Sequence, residues 1–345
     1  MKMKCCFPIS VLAFMALSCA TGWAAGVTAR LEDSSLSDDE KLERVENLIA
    51  QNPRDAEAFV SRGAIYESMR RIGDAFRDYS RAIEIDERCV SAYCRRASLE
   101  RKVRLFKEAL SDYAKAIELD PKNEVAYMGR AEVYEALAKY QLAIADYTQA
   151  ISLPSRPVEA YMRRGKCRRL VADYASGAGD FLKATQLDPK SFEAFELLGR
   201  CQAQLGKLDD ALASYSKAIE LYPWHAESFQ GRAEIHLARG KIKEAIDDST
   251  DALGTAPFLV PAYVTRGLAH EKKKDYPRMA IDFSEAIRLD PGDVNNYIHR
   301  ARANLAMGKL KEARGDAMTA VKLRPKNQLY REFLRKIDEA MSGGK

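Results

Sequence analysis

Apolar positions recur along this chain with two periods, one nested in the other. Over short stretches they return every three or four residues, as on one face of an α-helix. Over longer stretches the same constellation returns every 34 residues, the mark of a stacked-repeat architecture. Eight copies follow without a break, beginning at Ala56, Val90, Glu124, Val158, Phe192, Ala226, Val260 and Val294 and ending at Asn327. The first aromatic of each copy is never lost, from Phe59 and Tyr93 to Tyr263 and Tyr297. Nor is a small residue near its end, from Ala82 and Ala116 to Ala286 and Ala320. Each copy predicts two helices. The first starts just before the aromatic and ends at a short turn, which Gly206, Gly240 and Gly308 mark in three of the eight. The second opens on an apolar anchor such as Ile72, Phe106 or Leu208. It stops ahead of a proline such as Pro121, Pro189 or Pro223, because the residue before proline is pushed out of helical geometry. Small alanines let neighbouring helices approach, and the aromatics fill the space between them.

The ends break the pattern. Residues 1–24 read as a secretory signal: Lys2 and Lys4 make a basic start, Phe7 to Ala16 is apolar, and Gly22 and Ala24 suit a signal peptidase. The apolar run is too short for a good membrane span. Leu17-Ser18-Cys19 is similar to a bacterial lipoprotein motif, with Ala16 where that motif wants leucine; Cys19 is therefore the candidate lipidation site. Residues 25–36 form a polar linker. Ser37-Asp38-Asp39-Glu40 is a capping box that opens a half-repeat over 37–55. Residues 328–345 predict a closing helix and tail, with Leu329, Tyr330, Phe333, Leu334 and Ile337 on its apolar face. Repeat four is the expected weak point: Gly177 and Gly179 lie within its second helix, and its entry loop, 153–157, is irregular.

The motif Phe195-x-x-Leu198-Gly199, then Ala211-x-x-x-Tyr215, then Pro223 resembles the tetratricopeptide repeat. The resemblance runs from Ala56 to Asn327. It implies an all-α fold: a right-handed superhelical solenoid of eight helix-turn-helix repeats with terminal capping helices. It implies little about function, since many unrelated proteins share this scaffold.

One departure from the family pattern is systematic. Where the family has leucine before the small residue, this chain places Arg62, Arg96, Arg130, Arg164, Arg232, Arg266 and Arg300. Sixteen residues after each stands Asp78, Asp112, Asp146, Asp180, Asp248, Asp282 or Asp316. Repeat five alone has Leu198, and sixteen residues on it has Ser214. The two residue types leave together, which predicts a bidentate, partly buried pair between the two helices of a repeat, with Arg96–Asp112 and Arg130–Asp146 as examples.

Composition narrows the function classes. Of 345 residues 30% are charged, and the net charge is only +5, too mild to argue for nucleic acid. Cys89, Cys94, Cys167 and Cys201 lie beyond the signal and show no CxxC spacing. Cys167 and Cys201 occupy equivalent slots a repeat apart, too distant for a disulfide; all four are expected as buried or half-buried thiols. His236 and His270 are also a repeat apart, too far to share a metal. No phosphate-cradling glycine loop, HExxH, GxSxG or Cys/His nucleophile pair occurs. These readings point to a non-enzymatic protein with no cofactor and no metal.

Binding remains. In the family the first helices line a concave groove for an extended peptide or a partner's helix. By resemblance Val60, Cys94, Met128 and Met162 form its apolar floor, flanked by Arg101, Lys102, Lys166, Arg169 and Arg200. Methionine suits an adaptable floor, and basic flanks suit an acidic segment. The expected function is a protein–protein interaction scaffold, exported to the periplasm or secreted. The alternative is a lipid-anchored envelope-biogenesis or secretion accessory protein that recruits an enzyme complex.

Overall fold

The computed structural model describes residues 36–153 and 158–342. The expected signal over residues 1–24 with Cys19, nearly all of the expected linker, residues 154–157 and the last three residues lie outside the described residues. The described chain is all-helical, with eighteen helices and no strand among the described residues. It falls into two compact units, meeting in sequence between Leu137 and Ala138.

The first unit holds α1 (Asp38–Gln51), α2 (Ala56–Ser68), α3 (Ile72–Ile85), α4 (Val90–Lys102), α5 (Phe106–Leu119) and α6 (Glu124–Ala136). Its start is fixed by the capping box: the Ser37 hydroxyl accepts from the Glu40 N–H, and the Ser37 N–H donates to the Glu40 carboxylate at 2.8 Å. The second unit opens with α7 (Tyr140–Ser152) and α8 (Val158–Leu170). It continues with α9 (Tyr174–Leu187), α10 (Phe192–Gln204), α11 (Leu208–Leu221), α12 (Ala226–Ala238) and α13 (Ile242–Thr255). It closes with α14 (Val260–Lys272), α15 (Tyr276–Leu289), α16 (Val294–Ala306), α17 (Leu310–Leu323) and α18 (Gln328–Ser342).

Within each unit every helix packs on the next in sequence, and first helices also pack on the first helix of the following repeat: α2 on α4, α4 on α6, and α8, α10, α12 and α14 in succession. Among the described residues second helices make no comparable contact with one another. The first helices therefore sit closer together than the second helices, and their shared face is the inner one of each unit.

Glycine sets how close the helices come. Tyr79, Tyr113 and Phe181 are almost fully buried second-helix rings. A Cβ on Gly63 would lie 2.6 Å from the Tyr79 ring, and one on Gly231 would lie 2.4 Å from Tyr215. Those glycines are there because the rings occupy the space a side chain would need.

Glycine marks three of the turns between paired helices, as the sequence suggests, and the other five reach the same geometry without it. All eight place one residue in the left-handed region. Gly206, Gly240 and Gly308 do so, but so do Arg70, Arg104, Ala138, Ala172 and Lys274, with φ between 55° and 67°. The turn geometry is dictated by the closeness of the helices it joins, and five side chains accept a conformation costing about 1 kcal/mol each.

Repeat four shows the two glycines in different surroundings. Gly177 packs against the Gly165 carbonyl and Cys201, whereas Gly179 has open space around it.

Candidate functional site

Every arginine–aspartate pair lying wholly within one unit takes the same form. Arg62 donates from Nε and an Nη to the two Asp78 oxygens, both at 2.8 Å. Arg96 does so to Asp112 at 2.6 and 3.0 Å, and Arg300 to Asp316 at 2.9 and 2.6 Å. Arg164, Arg232 and Arg266 repeat the contact. Arg130 lies in the first unit and Asp146 in the second; neither is without a partner. Each guanidinium also covers the face of the first aromatic of its repeat, as Arg96 does over Tyr93 at 6.0 Å and Arg232 over Phe229 at 5.7 Å.

A third contact was not visible as a pair in the sequence. The remaining Nη of Arg96 donates to Ser80 of the preceding repeat at 3.2 Å. Arg164 reaches Thr148, Arg232 reaches Ser216, Arg266 reaches Thr250 and Arg300 reaches Ser284. One guanidinium thus joins three helices and locks a repeat to the one before it. The signal was a serine or threonine sixteen residues upstream of these five arginines; that position is Glu46 before Arg62 and Ala114 before Arg130. In repeat five that position is Leu182, so arginine, aspartate and hydroxyl are lost together. Ser214 is there satisfied instead by Gln202 at 2.7 Å.

The slots beside several of the clamps carry titratable groups. Glu100 is buried against Asp112, and burial pushes its carboxyl up to about 7. His236 and His270 lie 3.7 and 3.8 Å from Asp248 and Asp282. His299 stacks on Phe283 at 4.8 Å. Burial holds all three imidazoles below their ordinary value. Cys89, Cys94, Cys167 and Cys201 are buried, and burial raises Cys89, Cys94 and Cys201 away from the reactive thiolate.

On the inner face, the apolar floor expected of Val60, Cys94, Met128 and Met162 is largely closed. Val60, Cys94 and Met162 are buried between helices, and only Met128 is half-exposed. What the face presents instead is paired charge. Lys102 donates to Glu67 at 2.9 Å, and Arg101 meets Glu132 at 3.0 Å. In the second unit Lys166 meets Glu193 at 2.7 Å, and Arg200 donates to the buried Glu196 at 2.9 Å. Arg169 keeps a buried Nε with no partner. Beyond these, Gln230 bonds Thr265 at 2.8 Å across repeats, a link sequence reasoning missed because neither residue type marks a contact by itself.

A family model described as tetratricopeptide repeat matches residues 94–169 and 171–226. No curated protein matches the chain. Among solved structures, the C-terminal part of a TPR repeat-containing protein from Cytophaga hutchinsonii aligns over 70% of this chain and 99% of its own, at 18% identity and TM-score 0.57. The Cut9 and Hcn1 hetero-tetramer of APC/C matches over 91% of this chain and 62% of its own, at 14% identity and TM-score 0.53. YrrB, described as a TPR protein with an unusual peptide-binding site, matches over 55% of this chain and 97% of its own, at 24% identity and TM-score 0.51. At such identities the likeness is one of fold.

Proposed function

Because this chain belongs to the tetratricopeptide-repeat family, whose fold serves as a protein–protein interaction scaffold, we propose that it is a non-catalytic scaffold holding a partner's peptide or helix on the inner face of its first helices. The supporting observation is how that face is built. First helices are packed side by side, and exposed ion pairs run from one repeat to the next on a floor whose apolar groups are sealed. Such a face offers rigid, regularly spaced polar contacts and no chemistry that would turn over a substrate. Peptide binding by YrrB is consistent with this use.

The partner's charge follows from the pairing. Lys102, Lys166 and Arg200 already face glutamates, so an acidic segment would bind by exchanging one carboxylate for another. Its affinity should therefore depend only weakly on salt. The cellular place we propose is the envelope, on the strength of the leader-like residues 1–24. Lipid attachment at Cys19 is the second reading, favoured by Leu17-Ser18-Cys19.

A photo-reactive residue at Met128 or Arg169, compared with one at Lys183 on a second helix, tests the groove. Cross-links to one protein from the inner positions alone support it; equal cross-linking from Lys183 overturns it. Metabolic labelling with a radioactive lipid precursor, with and without Cys19→Ala, separates the two readings of the N-terminus.

A further inference from the structure

In the second unit the inner-face carboxylates are paired up to repeat five and lose their cations in repeat six. Glu159 bonds Arg163 at 2.9 Å, and Glu193 of α10 meets Lys166 of α8 at 2.7 Å. One repeat on, the residues equivalent to Lys166 and Glu193 are Arg200 and Glu227. Arg200 turns back along its own helix instead and donates from Nε to the buried Glu196 at 2.9 Å. Glu227 is left with the His225 imidazole at 3.4 Å. A further repeat on, the same two slots hold Glu234 and Pro261. Among the described residues neither Glu227 nor Glu234 has a lysine or arginine partner.

Between the two glutamates lies Gln230, only 6% exposed. Its amide nitrogen donates to Glu234 at 3.0 Å and to Thr265 of α14 at 2.8 Å. Both N–H groups are spent, which fixes the amide, and its carbonyl oxygen is buried with no donor. A buried acceptor left in this state is unfavourable and uncommon. What this stretch of α12 offers a ligand is therefore acceptors: the buried amide oxygen beside Glu234, and Glu227 seven residues away.

Repeat five shows what such a place accommodates. Its slot equivalent to Gln230 holds Glu196 and its slot equivalent to Glu234 holds Arg200, and the guanidinium satisfies the buried side chain. Repeat six keeps a buried acceptor and puts a carboxylate where the guanidinium stood. Repeat seven supplies no cation in these slots, which read Pro261, Val264 and Leu268.

We propose that repeat six receives its guanidinium from outside: an arginine side chain of the partner, bonded to the Glu234 carboxylate and the Gln230 carbonyl oxygen. Glu227 adds attraction from about 10 Å along the helix. A guanidinium presents five N–H donors in a fixed plane and no acceptor, which suits two acceptors on successive turns; an ammonium is a compact point charge and spans them less well. The two glutamates stand too far apart to hold one metal ion between them. The inference rests on the inner face being where the partner binds, and adds what that partner carries opposite repeat six.

The probe is N-acetyl-arginine amide added to the full chain, with N-acetyl-lysine amide as its control at matched ionic strength. The readout is the side-chain amide resonance of Gln230, identified by its loss in Gln230→Leu. We expect a saturable shift with the arginine probe and about tenfold weaker binding of the lysine probe, one charge-assisted hydrogen bond's worth. E234Q should weaken the arginine probe by about the same factor, and E227Q by less. Glu244→Gln, exposed on α13, should change nothing, with the helical circular dichroism of every variant unaltered. No saturable shift, equal affinity for the two probes, or full affinity in E234Q overturns the inference. The groove itself is judged separately. Partner cross-links from Met128 and Arg169 that persist undiminished in E227Q/E234Q leave the groove standing and overturn the arginine subsite, whereas a parent protein with no cross-links from those positions overturns the groove.

Discussion

Replacing Arg300 by leucine isolates what the three-helix clamp contributes. Asp316 keeps only 9% of its side-chain surface, and both of its oxygens are bonded to Arg300. Removing the guanidinium leaves a buried carboxylate without its counter-charge and cuts the link to the neighbouring repeat, where the Ser284 hydroxyl keeps only its own bond to the Ala280 carbonyl. Breaking a buried ion pair from one side costs roughly 3–5 kcal/mol. Arg300 is itself a quarter exposed, so water reaches the gap, and about 3 kcal/mol is the expected loss. The double variant R300L/D316S copies repeat five, where Leu198 and Ser214 stand in these positions and Ser214 is satisfied by a neighbouring side chain. Asn304 occupies the corresponding neighbouring slot in repeat eight. With no charge left to bury, the double change should cost about 1 kcal/mol or less. Repeat arrays need not unfold in one step. Native-state hydrogen exchange of α16 and α17 is therefore the assay, since it reads local opening directly. The single variant should expose these helices more than a hundredfold more often, while the double should stay near the parent protein. If the double variant opens as much as the single one, the pairing does not act as argued.

Other perturbations test other parts of the account. Gly231→Ala drives a methyl to within 2.4 Å of the Tyr215 ring and should lower stability by about 1–3 kcal/mol in denaturant titration. Gly179→Ala, with open space around it, should instead stabilise repeat four by about 1 kcal/mol and increase amide protection of α9. The three depressed histidines favour the folded state while neutral. Their contribution is complete above the unfolded value near 6.5 and is lost as pH falls below it, so amide protection in α12 to α16, taken relative to the intrinsic exchange rate at each pH, should fall between pH 7 and 5. Glu100 works in the opposite sense. Its raised carboxyl is held protonated in the fold, and the cost of ionising it accumulates as pH rises towards about 7. Glu100→Gln should therefore stabilise the first unit by about 1–2 kcal/mol at pH 8 and by nothing measurable at pH 4.5.

The sequence by itself determined the architecture, because a repeat writes its register eight times. One ambiguous helix boundary is decided by seven equivalent ones, and Phe59 through Tyr297 fix the phase without any tertiary knowledge. It also exposed the arginine–aspartate coupling, since repeat five drops both partners. What it could not display was direction. Whether Val60, Cys94 and Met162 face a ligand or a neighbouring helix depends on how tightly the first helices approach, and that closeness seals them. Likewise Ser80 and Thr148 become clamp partners only because one repeat lies against the next. Five non-glycine residues take left-handed conformations because paired helices leave the turn no alternative. Periodicity records which residues are equivalent; only the packed distance between helices decides which of them meet, which are buried and which remain for a partner.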